Sequence, residues 1–216
     1  MFIKPSNKLL ESIATDSDRI PRIYFDGNSI MSYVFWMRLK WLSLRLKKYS
    51  KEKDNCLDFG GGGGIFLPTL SKLFSNVVSI VLEITEAQKI CSAFNLENVD
   101  LVSADILSSE LSDAPFDAII AADVLEHFKN VKPAIKKLNK WLKTDGILVT
   151  SLPTENWAYV LLRLIFGIKK PFDHYHTGYE VECLLCENGF KRINRSNAPL
   201  YFNILPLYLI SVWQKS

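Results

Sequence analysis

The sequence predicts an α/β protein: a doubly wound, mostly parallel sheet covered by helices on both faces. Three observations lead there. Short, continuously apolar runs recur along the chain, as expected of strands buried on both sides. Amphipathic stretches of helical length separate them. The first apolar run also ends in five consecutive glycines, "LDFGGGGG", directly before a helical pattern.

In chain order, residues 1 to about 28 are turn-rich, broken by "TDSDRIPR" and "FDGNS". From about Ser29, a candidate N-cap, to Tyr49 runs a helix that is both apolar and basic. It carries Arg38, Lys40, Arg45, Lys47 and Lys48 and no acid. "NCLDF" is then a strand and "GIFLPTLSKLF" a helix, with Pro68 in the first turn, where its missing N–H breaks no bond. "VVSIVLE" and "VDLVSAD" are strands on either side of the helix "TEAQKICSAFN". The strand "FDAIIAAD", the helix "VKPAIKKLNKWLK" and the strand "GILVTSL" continue the alternation. Next come a strongly apolar helix, "TENWAYVLLRLIFGIKK", a loop, "PFDHYHTG", and the helix "YEVECLLCENGF", stopped by Gly189. Two strands close the pattern, "KRINRS" and "LYFNILPLYLISVW", the second bent or bulged at Pro206. The organisation expected is an N-terminal helical cap over 1–50 and one domain over 51–216, with a lid insertion over about 153–178.

Composition narrows the classes. Apolar residues make up 48% and charged residues 23%, as in ordinary globular chains. A net charge of +3 is too small to argue for a nucleic-acid partner. No window reaches about 18 uninterrupted apolar residues, so no spanning helix is expected, and "MFIKPSNKLLES" lacks the apolar core of a secretory signal. Four cysteines in 216 residues make no disulfide framework, and a cytoplasmic location is expected. Cys183 and Cys186 form a C-x-x-C, but without a second pair they read as packing residues in an apolar helix rather than a zinc or redox site.

Glycine costs roughly 0.5–1 kcal/mol relative to alanine inside regular structure, so five in a row need a reason. A flexible linker does not fit between a buried strand and a helix. A turn that brings bare backbone against a ligand does, because ligands gather where strands of such sheets end and helix N–H groups begin. The loop lacks the Lys-Ser/Thr of a P-loop. Glu83 closes the second strand, a position from which a carboxylate holds ribose hydroxyls, and Asp105 follows the third. Glycines and acids alone leave nicotinamide dinucleotides open as well.

These residues carry a resemblance. "LDFGGGGG" is similar to the first motif of class I S-adenosylmethionine-dependent methyltransferases. "SIVLEIT", "VSADIL", "FDAIIAADVLEHF", "LKTDGILVTSLP" and "ECLLCENGFKR" follow that family's later motifs in order, over about residues 54 to 196. The resemblance implies a Rossmann-like sheet of seven strands with the last antiparallel, and S-adenosyl-L-methionine as cofactor. It implies that Gly60, Gly62 and Gly64 wrap the methionine end while Asp58 holds its amino group. Glu83 would bind the ribose and Ile84 pack on the adenine, with Asp105 and the Ile106 backbone at the adenine amino group. Ala122 and Asp123 would border the methionine. Glycine at positions 61 and 63 departs from the family pattern and bears on the loop's rigidity.

Methyl transfer from a sulfonium needs alignment, and a base where the acceptor carries a proton. The histidines are the candidates: His127 after the fourth strand, and His174 and His176 in "PFDHYHTG". Each has a plainer alternative, a structural hydrogen bond for His127 and a polar loop for the other two, and no metal is expected. The apolar segment after the fifth strand resembles, faintly, the same region of ubiquinone-pathway O-methyltransferases. The expectation is methyl transfer, at oxygen, to a small-molecule or lipid-linked acceptor. The alternatives are an N- or C-methyltransferase and a catalytically inactive cofactor-binding partner subunit. The basic helix and the apolar segment also suggest peripheral association with a membrane, against the plainer alternative of lid helices packed on the sheet.

Overall fold

The computed structural model describes residues 2–14, 19–25, 30–165, 173–198 and 206–216. Its strands are β1 (Asn55–Phe59), β2 (Asn76–Val81), β3 (Val99–Ser103), β4 (Phe116–Ala122), β5 (Leu142–Pro153), β6 (Phe190–Ala198) and β7 (Tyr208–Lys215). They form one sheet in the order β3-β2-β1-β4-β5-β7-β6. All neighbouring pairs from β3 to β5 are parallel, and β7 is antiparallel to both β5 and β6. This is the predicted seven-stranded, mostly parallel sheet.

The helices are α1 (Asn7–Ile13), α2 (Ile30–Tyr49), α3 (Leu67–Ser71), α4 (Thr85–Phe94), α5 (Lys132–Trp141), α6 (Trp157–Ile165) and α7 (Gly178–Glu187). Side chains alternate across each strand, so neighbours in sequence feed two different cores. Cys56, Ala118, Ile120, Ile147 and Val149 join the layer with Leu39, Leu42 and Leu46 of α2. Leu57, Ile119, Ala121 and Leu148 join the opposite layer with Ile135 and Leu138 of α5 and Val181 and Leu185 of α7. Trp213, fully buried, donates its indole N–H to Thr150 Oγ1 at 3.0 Å and so ties β7 to β5.

Several boundaries differ from the sequence pattern. α3 is one turn long, with Pro68 in its first turn, because the glycine-rich turn continues to Phe66. β5 starts at Leu142 rather than Gly146: Phe116 pairs with Leu142 and Ala118 with Ile147, so "KTDG" bulges between two paired ends. β7 begins after Pro206, whose carbonyl accepts from Thr154 Oγ1 and Asn156 Nδ2. The proposed Ser29 cap, the end of the "WAYVLLRLIFGIKK" helix beyond Ile165, and residues 200–205 lie outside the described residues. α2 runs from Ile30 to Tyr49 and packs against β5, β6 and β7. Two of its five basic residues point inward, since Arg38 and Arg45 are buried, and Arg45 donates to Ser196 Oγ. The packing role for Cys183 and Cys186 is corrected: both thiols are solvent-exposed. α7 buries positions 178, 181, 182 and 185, which turns the cysteines outward. Among the described residues no helix is long and apolar enough to cross a membrane.

Candidate active site

The glycine turn leaves β1 and crosses the C-terminal edge of the sheet. Gly60 N–H donates to Ile80 O on β2 at 2.9 Å, and Gly64 N–H closes on Gly61 O at 3.0 Å. Gly60, Gly62 and Gly64 take positive φ, the three positions that the resemblance assigned to cofactor wrapping. The two unusual glycines have packing reasons. A Cβ on Gly61 would stand 2.2 Å from Asp58 Oδ2, and one on Gly63 would stand 2.2 Å from Ile20 Cγ1. Segment 19–25 therefore lies directly over the turn, and Gly63 N–H donates to Arg19 O at 3.1 Å.

Around this turn stand the expected cofactor residues. Asp58 is buried beneath it, with Ser79 Oγ at 3.5 Å, and burial pushes its carboxyl up to about 7. Glu83 lies just past β2 and half exposed; it pairs with Arg19 at 2.8 Å and accepts from Thr85 Oγ1 at 2.9 Å. Ile84 follows as the residue before α4. Asp105 is exposed after β3, its Oδ1 accepting from Leu107 N at 2.9 Å, and Ile106 is buried beside it. Ala122 ends β4. Asp123 has φ +52 and donates its N–H to Ser151 O on β5 at 3.0 Å. These residues share the sheet edge where strand order reverses between β1 and β4, the position at which doubly wound sheets bind ligands.

Beyond Asp123 the chain makes a 3-10 turn, Leu125–His127. Val124 Cγ2 sits only 2.4 Å from where a Gly60 Cβ would be, so this turn abuts the glycine turn. Glu126 is fully buried, and neither of its carboxylate oxygens finds a side-chain hydrogen-bond donor among the described residues. Desolvation raises its carboxyl to about 7. His127 Nδ1 lies 2.9 Å from Asp173 Oδ2, and burial, then neighbouring His174, lowers its pKa. The His127 and His174 rings meet edge to face at 4.6 Å. His174 Nδ1 lies 3.2 Å from Glu155 Oε1, and Glu155 is held two-handed by Arg163 at 3.2 and 2.8 Å. His176 is not brought into this group; its Nε2 faces the Lys129 carbonyl at 3.3 Å.

A second buried group reaches the same edge. Arg38 of α2 pairs with Asp123 and donates to the Tyr24 hydroxyl at 2.5 Å. Its guanidinium lies over the Phe35 and Tyr208 rings, and Tyr208 shares a 3.0 Å hydroxyl contact with Tyr159. Sequence reasoning missed Arg38, Glu126 and Glu155 as site residues. Their only signal is a charged residue at a position whose neighbours in the helical or turn pattern are buried.

A family model described as a methyltransferase domain matches residues 35–191. The chain belongs to that family, the class I S-adenosylmethionine-dependent methyltransferases, and its cofactor is S-adenosyl-L-methionine. Among curated relatives, (S)-coclaurine N-methyltransferase of Papaver somniferum is 34% identical over 103 residues, 45% of this chain and 29% of that protein. Carboxy-S-adenosyl-L-methionine synthase of Nautilia profundicola is 32% identical over 136 residues, 58% of this chain and 57% of that protein. The chain thus spans less than two thirds of the length of these two curated relatives. The N-methyltransferase NodS of Bradyrhizobium japonicum WM9, solved with S-adenosylhomocysteine, has a TM-score of 0.68 at 20% identity, covering 96% of each chain. Magnesium protoporphyrin IX methyltransferase of Synechocystis PCC 6803 has a TM-score of 0.70 at 19% identity, covering 92% of this chain and 94% of that one. These two show the shared fold.

Proposed function

We propose that this chain moves the methyl group of S-adenosylmethionine to a proton-bearing nitrogen or oxygen of a small or lipid-linked acceptor. The observation that carries the reading is the packing of Val124 against Gly60, which sets the Glu126–His127–His174 group beside the cofactor turn. The cofactor's methionine end lies in the glycine turn with its ammonium on Asp58. Its ribose takes Glu83, which exchanges Arg19 for the hydroxyls, and Ile84, Asp105 and Ile106 frame the adenine. The acceptor enters past Ala122 and Asp123. As the nucleophile attacks, the methyl–sulfur bond breaks and its electron pair stays on sulfur, leaving S-adenosylhomocysteine. The acceptor's proton passes to the carboxylate–imidazole group, His127 and His174 being the bases in reach. Arg38 fixes the Asp123 carboxylate at the mouth.

Nitrogen is the favoured acceptor atom, in place of the oxygen expected from sequence, because the names of the similar poppy and rhizobial proteins specify N-methylation. The proton-accepting group keeps oxygen as the second reading. Incubating the protein with methyl-labelled cofactor and panels of amines and phenols, with mass spectrometry of the products, tests both. Calorimetry with S-adenosylhomocysteine tests the cofactor half separately. Absent binding overturns the reading, and binding without turnover on either panel or on a metabolite extract leaves a cofactor-binding subunit instead. Peripheral membrane association is part of the proposal. It is supported by Trp157, Val160, Leu161, Leu164 and Ile165, which turn outward along one face of α6. Flotation with anionic liposomes at low salt is its test, and protein left in the dense fraction overturns it.

A further inference from the structure

We propose that Glu126, His127 and His174 form a binding site for a divalent transition-metal cation of the zinc class, with one position open toward the acceptor. The proposal rests on the reading of this edge as the methyl-acceptor site, and adds to it a metal that the sequence did not predict. One ligand atom from each of the three residues lies within 4.8 Å of the other two. Donors around one ion of bond lengths near 2 Å sit about 3–4 Å apart, so side-chain adjustments of about 1 Å bring the three onto one ion. Two imidazoles and one carboxylate with an open fourth position are a donor set that catalytic zinc and related divalent ions take up.

The independent observation is Glu126. Its carboxylate oxygens find no side-chain donor among the described residues, and only its own backbone N–H, with the charges of His174 and Arg38, offsets its burial; such a group stays neutral, is paired or binds a cation. The surrounding residues complete the pattern. His174 Nδ1 is hydrogen-bonded to Glu155, whereas His127 Nδ1 lies 2.9 Å from Asp173 outside hydrogen-bond geometry. For His174, a carboxylate on one ring nitrogen fixes the tautomer and leaves the other nitrogen as the donor toward a metal. Charges match as well. Arg163 neutralises Glu155, and a dication would hold Glu126 in its ionised form, so that it and Asp173 supply the two negative charges. Asp123, close in sequence, is committed to Arg38 and is outside the set. An acceptor nitrogen or oxygen at the open position would be acidified by the ion, and with His127 and His174 serving as ligands rather than bases its proton would pass to solvent.

The exposed Cys183 and Cys186 thiols would also take a soft metal, so the test uses tag-free protein in a Cys183→Ser/Cys186→Ser background. After chelation and dialysis, Co2+ is titrated with visible absorption as the readout, and S-adenosylhomocysteine binding is measured by calorimetry on the same samples. The expected result is one Co2+ per chain with the intense d–d bands of a low-symmetry, four- or five-coordinate ion. Glu126→Gln and His174→Ala abolish those bands while retaining S-adenosylhomocysteine binding. Glu155→Gln weakens Co2+ binding by roughly 10–100-fold, as loss of a ligand-orienting carboxylate does elsewhere. Intact S-adenosylhomocysteine binding without stoichiometric Co2+ overturns the metal site and leaves the methyltransferase reading standing. Bands that persist unchanged in both ligand variants overturn it equally. Loss of S-adenosylhomocysteine binding in the background protein itself strikes at the methyltransferase reading instead.

Discussion

Asp58 lies beneath the glycine turn with its carboxyl raised by burial from the ordinary 3.8 to about 7. If it holds the cofactor's ammonium, only its ionised form binds well, and affinity must follow its titration. The ionised fraction is about nine-tenths at about pH 8 and about one-hundredth at about pH 5, so the apparent dissociation constant for S-adenosylhomocysteine rises about 90-fold across that range. Stability runs the other way. A folded-state value above the unfolded one means that the native chain binds more protons between about pH 4 and about pH 7, so stability falls as pH rises through that window, by of order 4 kcal/mol in full. Asp58→Asn removes both effects. It flattens the pH dependence of binding, weakens binding at about pH 8, and raises the urea midpoint there. Calorimetric titrations of wild type and Asp58→Asn at several pH values, in buffers of different ionisation enthalpy, also count the proton released on binding. An affinity independent of pH in wild type, or the same slope retained in Asp58→Asn, would refute the placement of the ammonium on this carboxylate.

Gly63→Ala puts a methyl 2.2 Å from Ile20 Cγ1 and should cost about 1–3 kcal/mol in urea unfolding, with a loss in the Gly63→Ala/Ile20→Ala double variant smaller than the sum of the two single losses; no loss in the Gly63→Ala variant contradicts the seating of segment 19–25 over the turn. Arg38→Met leaves Asp123 and the Tyr24 hydroxyl without their cation and should cost about 3 kcal/mol of stability together with methyl-transfer activity, both read against wild type. Thr177→Ala removes the capping box that starts α7 and should cost about 1 kcal/mol by the same urea assay while leaving S-adenosylhomocysteine binding unchanged.

The sheet was legible because its strands are written as uninterrupted apolar runs, which only burial on both faces explains. The cofactor edge was legible because glycine is scarce in such runs and five together mark a backbone approach. Boundaries were less so. The bulge that starts β5 at Leu142 depends on how Phe116 and Ala118 pair across the sheet, which no local pattern encodes. The exposed cysteines of α7 were misread for a related reason. The buried stripe includes Glu182, which is held by Arg192 and Ser211, so apolarity alone pointed to the wrong face. Arg38 looked like one of a row of surface cations until its partner Asp123, 85 residues away in sequence, was brought beside it. Glu126 stands next to the histidine that was singled out, yet carboxylates are seldom fully buried, and sequence gives no reason to expect one there. Long-range pairing of charge is the part of this site that local pattern could not supply.

Placing β7 between β5 and β6 has a consequence for synthesis. The stretch Leu148–Pro153 gains its outer hydrogen-bonding partner only when residues 208–215 have left the ribosome, and β6, made earlier, must wait for the same residues. Until then a nascent chain with five strands assembled carries an open, apolar border able to zip onto a neighbouring copy. Lengthening the time before residues 208–215 emerge should therefore lower the yield of dispersed protein, read as the dispersed fraction against an unslowed control.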